Sequence, residues 1–301
     1  MAARGFDAEL AQLEQLRHAD PSTTKGPLNK ALGSKSNFIV GKAAALVAAH
    51  RHVSLVPDLV ASFHRFLVDS SKSDPQCWAK EAIAKALAEL DFQEPDVFIT
   101  GMRTFQPGFT DDAATALRGT CALALVNCRT LRGTNVLEHL LPLFADPQTS
   151  VRVNAIRAVE QLGTESCSLL LRLRAELGSD SPEVLGACYS GVLRIEGPSA
   201  NSWVGKFLRP EEPDDASNEA AFAIAETRSE TAFNLLHQAF DTTRDADFKD
   251  ALLSAIALTR QDKAIDFLFD LVAQGNRSAR EAIENSAPST ITLERLRNLP
   301  C

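Results

Sequence analysis

The chain has 301 residues, 45% of them hydrophobic, which excludes wholesale disorder; a formal charge of −8 and a pI near 5.3 argue against a general nucleic-acid binder, which needs clustered Lys and Arg. No apolar run approaches the roughly 18 residues of a membrane span, and Asp7 and Glu9 interrupt the window where a secretory signal needs its apolar core. A cytoplasmic protein with no membrane partner is the expectation. The six cysteines (77, 121, 128, 167, 188 and 301) form no CxxC pair and lack the density of a disulfide framework, as reduced thiols would.

In chain order, residues 6–18 predict a first helix with Phe6, Leu10, Leu13 and Leu16 on one stripe, followed by a loop over 20–26. Residues 1–26 thus read as a capping helix and loop, because terminal repeats need a polar outer face. Residues 28–32 and 37–51 make a first helix pair, the second helix rich in alanine (Ala43, Ala44, Ala45, Ala48, Ala49) so that neighbours can approach closely. The run from Gly33 to Ser36 lacks phosphate-loop spacing and reads as a turn. Amphipathic segments then recur over 59–68, 97–105, 136–144, 168–177, 202–208, 231–240 and 263–272, each followed by a second helix. The period drifts from roughly 38 residues to roughly 31, within the range of helical repeats. Gly is scarce and alternating β-branched runs are absent, so no sheet is expected.

The clearest copy runs from Asp146-Pro147, a helix-start signal, to Gly163, a helix-stop signal, with Val151, Ala155, Ala158, Val159 and Leu162 on one face. Upstream, Asp74-Pro75-Gln76 aligns with Asp146-Pro147-Gln148 without a gap. Asp74/Lys80, Asp112/Arg118 and Asp146/Arg152 share one six-residue acid–base spacing. Ser36/Lys42 and Thr243/Lys249 keep the spacing without the acid, and Leu185 stands where the base should be after Asp180. Further copies open at Asp214 and near Gly275.

Asp146 to Gly163 resembles a HEAT repeat, especially the short variety named after phycobilisome lyases. In that family a turn Asp and an Arg six residues later form a ladder between repeats. The resemblance is specific over about 74–163 and loose elsewhere. It implies an all-α fold, an α-solenoid in the form of a superhelical array of about seven to eight helix pairs, together with a habit of binding partners, but no reaction. The expected organisation is a single array with a first sub-array over 27–207, an acidic Pro-containing loop over 208–216 and a C-terminal sub-array and cap over 217–301.

The acid–base pairs Asp74, Lys80, Asp112, Arg118, Asp146 and Arg152 read as a structural ladder rather than as catalytic pairs, because they recur regularly and charge-assisted hydrogen bonds would tie repeats together. Cys121 and Cys188 fall on the small buried slot held by Ala155 and read as core. His50 and His52 sit near a helix C-terminus, where i,i+2 side chains diverge, so metal ligation is not expected. Phe105 and Phe109, in the longest turn of the first half, either fold back on the core or line a binding surface; the inner helix over 113–128 is apolar nearly all round, and one of these rings is the expected cover for Leu123 and Val126. The exposed stripe of the inner helices offers Asn154, Arg157 and Gln161, with Lys85 and Arg194 near the same face: a basic strip or simply a solvated helix face.

The leading expectation is a non-enzymatic scaffold that binds a protein or peptide along the concave inner-helix face, with no cofactor, catalytic residue or metal. Two alternatives are a lyase-like or chaperone-like accessory acting on a pigment-bearing or other modified protein, and a DNA-binding role like that of HEAT-like DNA glycosylases. The acidic charge and the presence of only two Trp disfavour the second.

Overall fold

The computed structural model describes residues 2–108, 111–131, 133–286, 294 and 296. Among them the chain is all-α, and one isolated antiparallel bridge joins Pro107 to Asp112. The fold is an α-solenoid packing of helix pairs, divided into two compact units, Met1–Gln161 and Leu162–Cys301. The division falls at Gln161, whereas the acidic loop over 208–216 lies inside the second unit.

The first unit contains α1 (Ala2–Leu16), α2 (Pro21–Leu32), α3 (Asn37–Ala49), α4 (Val56–Leu67), the single turn α5 (Ser70–Ser73), α6 (Trp78–Glu89), α7 (Asp96–Met102), α8 (Thr115–Leu125), α9 (Thr134–Leu140) and α10 (Thr149–Leu162). The inner helices α3, α6 and α8 stack on one another, and the outer helices α4 and α7 cover them. Small residues permit the close approach: Ala43, Ala44, Ala79, Ala84, Ala122 and Ala124 are all buried. Gly119 on α8 lies so near α10 that a Cβ there would stand 3.3 Å from Asn154 Cβ while also meeting that side chain's amide.

The expected loop over 20–26 is instead the start of α2. Asp20 accepts the Ser22 N–H at 2.9 Å as N-cap, and Pro21 supplies a pre-set helical φ at the first position. Gly26 and Pro27 are carried inside the helix, whose apolar side, Leu28 and Leu32, is fully buried against its neighbours. Tertiary burial outweighs weak local propensity there.

The second unit contains α11 (Glu165–Leu177), α12 (Pro182–Glu196), the single turn α13 (Asn201–Val204), α14 (Asp215–Glu226), α15 (Glu230–Thr242), α16 (Ala246–Thr259), α17 (Asp262–Ala273) and α18 (Arg277–Asn285). Here α12, α14, α16 and α18 form the inner stack, with α11, α15 and α17 outside. The amphipathic segment over 202–208 is not one helix: α13 is followed by a 3-10 turn, Gly205–Phe207.

Six inner helices end on a residue with positive φ: Arg51, Asp91, Gly163, Gly197, Arg228 and Arg260. Only Gly163 and Gly197 adopt positive φ without steric cost, so the other four stops carry no glycine signal in the sequence.

Candidate functional site

In the first unit the turn acids are drawn into the stack. Asp74 and Lys80 are completely buried and pair at 3.2 Å. The Asp74 carboxylate also accepts the N–H groups of Ala79 and Lys80 and the Asn37 side-chain amide of the preceding repeat. Lys80 donates onward to the Phe66 carbonyl and to Gln106, and Gln106 donates to the Asp74 carbonyl at 2.7 Å. Gln106, buried in the next turn, is therefore part of the ladder, and no spacing in the sequence marks it.

Arg118 is the junction of the next step. Its guanidinium pairs with Asp112 of its own turn and makes a two-pronged contact with Asp146 of the following one, at 2.7 and 3.1 Å. The planar fork of Arg suits this geometry. Phe105 lies under that guanidinium, 4.2 Å from its carbon, and is 62% exposed. It roofs the ladder; Leu123 and Val126 are half-buried, and Phe109 lies outside the described residues. Arg152 donates to the Asp146 and Pro147 carbonyls. Burial pushes the Asp112 carboxyl up, but the N–H groups of Gln106 and Ala114 and the Arg118 guanidinium outweigh it and hold the group below its ordinary value.

The second unit holds its turns differently. Asp180 pairs with Arg174, which comes from the outer helix and not from the position that Leu185 occupies. Asp214 caps α14 in a reciprocal arrangement with Ser217. Asp245 caps α16 by accepting the Phe248 N–H at 2.8 Å, and Asn276 caps α18. Lys249, the base expected to follow Thr243, rests over the Phe240 ring at 5.3 Å. In the first unit Lys42 similarly departs from the ladder and faces Glu14 at 3.9 Å.

The groove candidates are distributed as follows. Lys85 is exposed on α6 and pairs with Glu81 at 2.6 Å. On α10, Arg157 and Gln161 are exposed, while Asn154 is half-buried against Gly119. In the second unit Arg194 is exposed 3.7 Å from Glu226. The inner face there is otherwise acidic: Glu183, Asp215, Glu219 and Glu226 are exposed on α12 and α14. Partial desolvation where its stem packs against Gly186, with Glu183 nearby, raises the Glu219 carboxyl. The first unit carries seventeen Lys and Arg against seventeen Asp and Glu, and the second fourteen against twenty-two, so the whole formal charge of −8 belongs to the second unit.

The thiols of Cys77, Cys121, Cys128, Cys167 and Cys188 are buried. Burial raises Cys121 far above the ordinary range and Cys188 to about 12, which disfavours the thiolate that a nucleophile needs. His50 and His52 do not diverge as i,i+2 residues on a helix would. The helix ends at Ala49, Arg51 adopts φ 52°, and the reversal brings His50 Nδ1 and His52 Nε2 within 3.0 and 2.8 Å of the buried Thr24 hydroxyl. Among the described residues no group of three or more His, Cys, Asp or Glu could hold a metal ion, and no helix is long and apolar enough to cross a membrane.

The fold is an all-α α-solenoid, and the ladder side chains of its first unit pair with one another between turns. No family model matches the chain, and no curated protein does. Among solved structures it is similar to human deoxyhypusine hydroxylase in complex with glycerol, at 15% identity over 97% of this chain and 91% of that chain, with a TM-score of 0.29. A likeness that distant transfers neither an activity nor a site.

Proposed function

We propose that this chain is a non-enzymatic scaffold that binds a protein or peptide partner along the exposed face of its inner helices, built from short HEAT-like repeats. The observation that carries this reading is the repeated exposure of one face per inner helix. In the first unit Lys85 on α6 and Arg157 on α10 point to solvent, and in the second, taken by itself, Arg194 on α12 does, while the flanking faces of the same helices are buried. Helical-repeat arrays use such faces as extended binding surfaces. The buried thiols and the ladder ions serve packing, which leaves the exposed face as the surface free to meet a partner.

The test is capture from native lysate followed by mass spectrometry, comparing wild type with Lys85→Glu/Arg157→Glu. Both positions are exposed, so circular dichroism should be unchanged. A specific protein retained by wild type and lost by the variant supports the proposal; a partner kept equally by both removes the basic positions from it. Failure to capture any specific protein would count against the scaffold reading.

A further inference from the structure

On α11 the sequence Leu169-Leu170-Leu171-Arg172-Leu173-Arg174-Ala175-Glu176-Leu177 supplies more leucine than the core of the second unit uses. One face of the helix, with Cys167, Leu171 and Ala175, is buried, and α11 packs on α12. The opposite ridge places Leu169, Leu173 and Leu177 at i, i+4 and i+8, exposed to 61, 58 and 61%. No other helix among the described residues carries more than one large hydrophobic side chain so exposed. Single exposed leucines need no explanation, but three on one ridge form a continuous apolar strip, which marks an interaction surface.

Charge decides what the strip suits. Arg172 and Arg174 beside it are neutralised by Glu196 and Asp180. The remaining charged groups along the helix, Glu165 and Glu176, are acidic, and Glu176 is fixed by the Trp203 indole N–H at 2.9 Å. The unit around them carries the whole −8. A second copy of this chain would bring two such units together, and isologous pairing confronts each surface with its own image. We propose that the α11 ridge docks an amphipathic helix of another protein, with an apolar stripe that packs against Leu169, Leu173 and Leu177 and flanks of Lys or Arg that meet the acidic surroundings. Helix recognition through i, i+3, i+4 and i+7 anchors is an established mode of docking. This surface lies on an outer helix and is separate from the inner-helix face.

The test uses the full chain and fluorescence anisotropy with three labelled peptides of about 18 residues, five helical turns. One is a Leu/Lys peptide patterned as an amphipathic helix, one is its scrambled isomer of the same charge, and one is the patterned Leu/Glu counterpart. The patterned Leu/Lys peptide should bind at least about tenfold more tightly than either control, and about tenfold more weakly to Leu169→Gln/Leu173→Gln/Leu177→Gln. Binding should be unchanged in Phe222→Gln/Leu258→Gln, which alters the exposed apolar residues of α14 and α16. If the triple variant misfolds by circular dichroism, the single exchange Leu173→Lys should give the same loss. Equal binding of the scrambled isomer, equal binding by the ridge variants, or no binding of the patterned peptide would overturn the proposal. So would a dimer, seen by light scattering, that the ridge variants dissolve.

Discussion

The two units stack helix pairs in the same way but hold their turns by different chemistry. In the first, turn acids are buried with bases and each step depends on the next: Asn37 reaches Asp74, Lys80 reaches Gln106, and Arg118 reaches Asp146. In the second, Asp214, Asp245 and Asn276 cap the helices that follow them and depend on little beyond their own first turn. A buried ion pair withstands the loss of either partner poorly, because the survivor is left charged in low dielectric. A helix cap is a local interaction whose loss costs about 1 kcal/mol. The first unit therefore couples its turns through buried ions, whereas the second, which carries the entire net charge, joins its repeats mainly through neutral links such as buried Asn201 with Thr227 and Ser229, with Arg174–Asp180 as its one nearly buried ion pair among the described residues.

The chain offers a direct way to test this contrast, since Trp78 lies in the first unit and Trp203 in the second. Trp203→Phe leaves fluorescence that reports the first unit alone, and Trp78→Phe leaves the second. The largest effect is expected for Arg118→Met, which strands Asp146 and partly buried Asp112 and should destabilise the first unit by about 3–5 kcal/mol in denaturant unfolding. The Trp203 signal should not move, and equal shifts of both signals would show that the units unfold as one. Next comes Arg174→Met, which removes the partner of nearly buried Asp180 and should cost the second unit about 2 kcal/mol by the Trp203 signal. Asp245→Ala removes one cap and should cost about 1 kcal/mol in the same assay; a loss as large as that of Arg118→Met would end the distinction between the units.

The smallest expected effects concern pH, and they have opposite signs. Asp112 has a lowered carboxyl value in the folded state, so its contribution is present above the ordinary 3.8 and is lost as pH falls through the folded value. Glu219 has a raised value, so the folded unit retains a proton that the unfolded chain has released. Stability of the second unit therefore declines as pH rises from the ordinary 4.5 through that raised value. Glu219→Gln should raise the neutral-pH Tm slightly and leave it unchanged well below 4.5. A gain of the same size in acid would assign the effect to packing against Gly186, where an added Cβ would stand 2.9 Å from Glu219 Cβ.

Local chemistry made much of this legible in the sequence. Helical periodicity over 149–162, the Asp146 turn, and the six-residue spacing of Asp74/Lys80 and Asp112/Arg118 all depend on neighbours within two turns of chain. The same local reasoning misplaced residues 20–26 as a loop, whereas Asp20 caps α2 and burial of Leu28 and Leu32 holds the helix against its neighbours. It also set His50 and His52 apart, because it could not see the left-handed turn at Arg51 that joins them through Thr24.

The sequence by itself determined that the chain is a stack of helix pairs, since 3.6-residue periodicity and turn residues act within a single element. Only the tertiary structure decided that Arg118 spans two turns, that Gln106 completes the Asp74 step, and that Arg174 takes the place left by Leu185. Those partners lie on different elements, and spacing along the chain does not encode which side chains meet across a stack. The division of α11 into buried Leu171 and exposed Leu169, Leu173 and Leu177 has the same origin: leucine is equally apolar on every face, and only a neighbouring helix makes one of them the core.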